Sequence, residues 1–170
     1  MIIAIDPGLS GGIAYKDGEL EYAVKMPDTI KGIIDLLQAI RFQFEDGRTG
    51  QKHYCSAICY LEDVHSMPKQ GVKSMWTFGE HYGALQAILL CLGIPMKTVT
   101  PNTWQKAIGA SRPSVPKDAT PSQREAAKRE GKHKIKQIVE ARFPTLQVTL
   151  KTADALGILI YAIEKERANK

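Results

Sequence analysis

The 170-residue sequence contains three cysteines, Cys55, Cys59 and Cys91, and an odd count leaves no closed disulfide framework. Cys55 and Cys59 lie in HYCSAICYLEDV, whose period-two apolar pattern reads as a strand. Four-residue spacing then puts both on one face without the tight loop of a metal cluster. We read them as reduced core thiols, with a zinc site or a disulfide as the alternatives. Although 44% of residues are hydrophobic, no run approaches the roughly 18 apolar residues of a membrane span. A soluble, globular protein with no membrane partner is therefore expected. Met1 leads directly into strand-like sequence, without the charged leader and apolar core of a signal peptide, which points to the cytoplasm. Internal repeats are absent, as are the Gly-Lys-Ser/Thr phosphate loop and the Gly-x-Gly-x-x-Gly fingerprint, so no nucleotide cofactor is expected. The length suits one domain, residues 1–170.

What is present is ordered. Ile2, Ile3 and Ile5 read as a buried strand, GGIAYKDG as a second closing at Asp17-Gly18, and ELEYAVKMP as a third ending at Pro27. Ile30, Ile33, Ile34, Leu37, Ile40 and Phe44 recur at helical spacing after a cap at Asp28 or Thr29. YCSAICYLEDV is a fourth strand, and a helix runs from about Lys73 to Leu92. IPMKTVTP is a fifth strand, and Asn102 to Ile108 is a short helix. Prolines 113, 116 and 121 mark a loop around 110–123 that is expected to be mobile. Helices to about Phe143 and from Thr152 to Lys165 complete the chain. Three antiparallel strands followed by helix-separated parallel additions give an α/β protein with a mixed five-stranded sheet flanked by helices, the layout of the ribonuclease H-like fold.

Three acids occupy unusual positions. Asp6 ends the first apolar strand, Glu62 ends AICYL, and Asp154 lies in the first turn of an otherwise apolar helix. Each has a plain explanation: a turn residue before Pro7-Gly8, a solvated strand end, and an acid favoured by a helix dipole. Together, in a sheet whose first and fourth strands are parallel neighbours, they would gather at its carboxyl edge around a cation, because burying such charges singly costs several kcal/mol. Oxygen ligands of this kind suit Mg²⁺, and two ions bridging a phosphate suit phosphodiester hydrolysis. Asp63 points to the other face and is a weaker alternative ligand.

AIDPGLSGGIA, YLEDVHSMPKQGVKSMWTFGEHYGALQAIL, GIPMKTVTPNTWQKAIG and KTADALGILIYA together resemble the RuvC-like Holliday junction resolvases, more closely their phage-type members. The resemblance implies a homodimeric, Mg²⁺- or Mn²⁺-dependent endonuclease that acts in bacterial or phage-infected cytoplasm. It would nick opposing strands of four-way DNA junctions in recombination and repair. Asp6, Glu62 and Asp154 match the family's acidic metal ligands. Three residues before the last acid, where the family commonly has another Asp or a His, stands Lys151, which either leaves three ligands or meets a phosphate oxygen.

The net charge of +5 is compatible with a polyanion, and the stretch 117–136 is rich in Lys and Arg, as either a solvated face or a phosphate surface. Candidate DNA contacts are Lys69, Gln70, Lys73, Ser74, Lys106, Lys132, Lys134 and Lys151. Trp76 and Phe78 read first as helix anchors and second as stacking platforms, Trp104 as packing, and His65 as a core or surface residue before a base. DPGLSGG also looks like the phosphate turn of actin-like ATPases and sugar kinases. Those proteins need a second glycine loop, and none is found. A broader branched-DNA endonuclease and an inactive junction-binding protein are the alternatives kept.

Overall fold

Branched residues at Ile2, Ile3 and Ile5 build β1 (Ile2–Asp6), the central strand of the molecule. The computed structural model describes residues 1–65, 71–111, 114–116 and 118–168, apart from the side chain of Phe44. β2 (Gly12–Asp17) and β3 (Leu20–Lys25) follow antiparallel around a turn in which Gly18 adopts a positive φ. Then come α1 (Ile30–Arg41), capped by the Thr29 side chain, and a separate hairpin of β4 (Phe42–Glu45) and β5 (Lys52–Tyr54). β6 (Ile58–Glu62), α2 (Val72–Cys91), β7 (Met96–Val99), α3 (Pro101–Ala107), α4 (Pro121–Arg142) and α5 (Ala153–Ala168) complete the order. β6 runs parallel to β1 and β7 parallel to β6, which gives the mixed sheet β3-β2-β1-β6-β7.

Alternation along the strands feeds two apolar layers. Ile3, Ile5, Cys59 and Leu61 pack with Ile33 and Leu37 of α1 and Leu85 and Leu89 of α2. Ala4 and Tyr60 point the other way, to Trp104, Ile135, Val139 and the largely buried stretch 153–163 of α5. Helices therefore cover both faces. Among the described residues no helix is long and apolar enough to cross a membrane.

Two expectations about elements need correction. The helix read through Phe44 stops at Arg41, because Phe42 is already extended and pairs with Tyr54. Asp46 closes the hairpin turn by accepting from the Arg48 and Thr49 amides. Arg41 donates to the carbonyls of Cys55 and Leu92, which anchors this junction. The strand read from Tyr54 to Val64 is interrupted, so Cys55 falls between β5 and β6 and shares no strand face with Cys59. All three cysteines are free thiols; Cys59 is buried, and that burial pushes its thiol up.

Trp104 and α5 fit closely at Gly157, where a Cβ would lie 2.5 Å from Trp104 Cζ3. Overpacking costs about 1–3 kcal/mol, whereas replacing a helical glycine by alanine gains at most about 1 kcal/mol. Gly157→Ala should therefore lower stability by about 1–2 kcal/mol in urea unfolding. Unchanged or increased stability would show that the Trp104 ring has room to move.

Candidate active site

The three suspected acids lie on one face. Asp6 is two residues beyond Ala4 and Glu62 two beyond Tyr60, and both Ala4 and Tyr60 point toward α5. The parallel register Ala4 to Tyr60 and Ile5 to Leu61 brings Asp6 and Glu62 side by side at the carboxyl ends of β1 and β6. α5 packs over β1 and β2 and carries Asp154 in its first turn.

Small residues make this convergence possible. A Cβ on Gly11 would collide with the Asp6 carbonyl oxygen and lie 3.2 Å from Asp6 Cγ. One on Gly12 would lie 2.6 Å from the Lys151 carbonyl oxygen, so the start of β2 sits directly against the turn that launches α5. That turn is held by Thr152, whose Oγ1 accepts the Thr149 amide at 3.0 Å.

Glu62 is 8% exposed, and its Oε1 accepts a hydrogen bond from Trp104 Nε1 at 2.8 Å. Trp104 is packing, as its sequence context suggests, and also the donor that fixes this carboxylate. Nothing in the local sequence signals the second role, since the partners are 42 positions apart.

Burial is the largest influence on Asp6, whose carboxyl is pushed up to about 8; Glu62 and Asp154 push in the same direction, and Lys132 of α4 opposes them. The acids are thus within electrostatic reach of one another. Among the described residues, however, no three His, Cys, Asp or Glu side chains are gathered closely enough to enclose a metal ion. Like charges without a counter-cation repel, and one Glu62 oxygen already faces the indole. The set fits a hard divalent cation in charge, donor type and shared face, and stops short of ligand spacing.

The other candidates separate. Lys73, Ser74 and Lys151 line a cavity with Pro7 to Ser10. Lys132 and Lys134 are exposed, and helical spacing puts them on opposite flanks of the buried line Gly131, Ile135 and Val139. Only Lys132 acts on Asp6. Lys106 is exposed at the end of α3, two residues from Trp104 and so on the opposite side of that helix. Lys69 and Gln70 lie outside the described residues. Asp63 acts on Tyr82 of α2, and its Oδ2 lies 3.5 Å from His65 Nε2. Trp76, expected as a helix anchor, is instead 70% exposed, while Phe78 is half-buried. His81, which the sequence did not single out, accepts the Gly8 amide on Nδ1 at 3.3 Å.

Two variants test these contacts. With no metal present, an acid titrating near 8 when folded and near 3.8 when unfolded lowers stability progressively from about pH 4 to about pH 8 and no further above. Asp6→Asn should therefore be a few kcal/mol more stable than the parent at pH 9 and show no advantage at pH 4, as read from urea midpoints. Trp104→Phe removes the buried donor to Glu62 and should cost about 1.5–3 kcal/mol in the same assay.

No protein-family model and no curated protein matches the sequence. Solved structures do. The Thermus thermophilus RuvC structure aligns with a TM-score of 0.57 at 14% identity, covering 99% of this chain and 96% of that one. T. thermophilus RuvC in complex with Holliday junction substrate aligns with a TM-score of 0.57 at 13% identity, covering 98% and 95%. At such identity the likeness is one of fold, and it agrees with the sheet order and helix placement described above. The chain has the ribonuclease H-like fold in the form seen in RuvC.

Proposed function

We propose that the protein is a divalent-metal-dependent, structure-selective DNA endonuclease that resolves four-way junctions by paired nicks. The observation that carries this reading is the convergence of Asp6, Glu62 and Asp154 on one sheet face, close enough to act on one another's charge. The fold likeness to RuvC, including RuvC in complex with a Holliday junction substrate, supports DNA as the partner.

Asp6, Glu62 and Asp154 would hold Mg²⁺ or Mn²⁺, two ions in the full arrangement. When bound, the metal supplies Lewis-acid activation of phosphate and of the attacking water. Trp104 keeps Glu62 oriented, Gly11 keeps the neighbourhood of Asp6 free of a further side chain, and Gly12 lets β2 sit against the Lys151 carbonyl. Lys132 offers positive charge beside the acids, while Lys106 and Lys134 serve affinity for the backbone rather than chemistry. Paired nicks require two sites. A homodimer is supported by bare apolar side chains on α2, Val72 and Trp76 near its start and Leu90 near its end, which are 79%, 70% and 80% exposed.

Junctions, forks, flaps and linear duplex incubated with Mg²⁺ or Mn²⁺ test the proposal. Symmetric nicks confined to the junction are expected, whereas comparable cutting of forks and flaps would favour a broader branched-DNA nuclease. Asp6→Asn should reduce cleavage by about a hundredfold or more while leaving junction binding within a few-fold. Cleavage unchanged in that variant would remove the metal assignment, and junction binding without cleavage by the parent would identify a binding protein.

A further inference from the structure

The buried residues of α2 are His81, Leu85, Ile88 and Leu89, a line at helical spacing against the core. An imidazole at the head of an apolar line is costly to keep. Its Nε2 is sealed from solvent and has no hydrogen-bond partner among the described residues. Buried polar groups are seldom left so, and leucine would fill the place without that penalty. The reason for a histidine lies in its other nitrogen.

Nδ1 accepts the Gly8 amide at 3.3 Å. A ring nitrogen that accepts carries no proton, so the neutral ring holds its proton on Nε2. Burial lowers the proton affinity of the imidazole and so favours this neutral form. Gly8 lies two residues after Asp6 with a φ of +105°, a conformation few side chains adopt. Its carbonyl oxygen accepts the Gly11 amide at 3.1 Å, and Gly11 packs against Asp6, where a Cβ would lie 3.2 Å from Asp6 Cγ. Leu9 and Ser10, at the tip of the turn, are exposed. The turn is held at its base, and the Gly8 side of that base is tied to α2, 73 positions away.

We infer that His81 is a positioning residue of the active site: through Nδ1 it fixes the turn 7–11, and so the direction in which the Asp6 carboxylate faces Glu62 and Asp154. This rests on the nuclease reading and adds to it a residue that touches neither DNA nor metal. Packing does not account for the histidine, because an apolar side chain of similar volume would pack there without a buried, unpaired N–H.

Asparagine and glutamine separate the two roles. His81→Asn is smaller but puts a carbonyl oxygen where Nδ1 stands. His81→Gln is nearer in size and carries its polar atoms one bond further out, where Nε2 stands. Positioning favours the first variant and packing the second. In single-turnover cleavage of a saturating four-way junction with Mg²⁺, His81→Asn should stay within about threefold of the parent, and His81→Gln should be slower by about tenfold or more. Junction affinity, read by fluorescence anisotropy in EDTA, should change by less than about twofold in both. Two readouts on the parent need no variant to fold. Nitrogen NMR of the imidazole should show a bare Nδ1 and a protonated Nε2, and the Gly8 amide should exchange about a hundredfold more slowly than those of Leu9 and Ser10. His81→Gln cleaving as fast as His81→Asn, a proton on Nδ1, or a Gly8 amide exchanging as freely as its neighbours overturns the role and leaves the nuclease reading intact. A parent that cleaves no branched DNA overturns both.

Discussion

Two acids at the tips of neighbouring strands can serve one cation only if the strands run the same way and in step. The parallel pairing of β1 with β6 meets both conditions, and the rest of the site is arranged around it. A slip of one residue would send Glu62 to the α1 and α2 side and bring Leu61 and Asp63 to the face it leaves. The apolar alternation that holds the register also builds the two cores, so the position of the acids is a by-product of burying Ile3, Ile5, Cys59 and Leu61 together.

The site works against the stability of its surroundings. Asp6 is removed from water beside two other carboxylates, which raises its proton affinity. What opposes this is local: the charge of Lys132 from α4. The nearby packing is correspondingly firm, with Trp104 wholly buried and the α5 face closed around it. A strained set of charges is tolerable where the scaffold has little freedom to relax.

Much of this was legible in the sequence because it depends on short-range periodicity. The strand-ending acids, the meander, the parallel additions and Asp154 in a first helical turn all follow from apolar spacing. Most of the misreadings share one cause, contacts made between residues far apart in the chain. Arg41 ends its helix because carbonyls 14 and 51 positions away receive its guanidinium, and Phe42 finds a strand partner in Tyr54. The donor role of Trp104 and the link from His81 to Gly8, 73 positions apart, have no local signature. Trp76 fits a helical anchor pattern, yet it stands at an exposed end of α2 where the core has already ended.

The contact of Gly157 with Trp104 carries a consequence for how such a sequence can drift. Position 157 accepts a larger residue only if position 104 shrinks, and position 104 shrinks only by giving up the hydrogen bond to position 62. Two interior sites with no chemistry of their own are thereby bound to the fate of a carboxylate, and relatives should vary at all three together or at none.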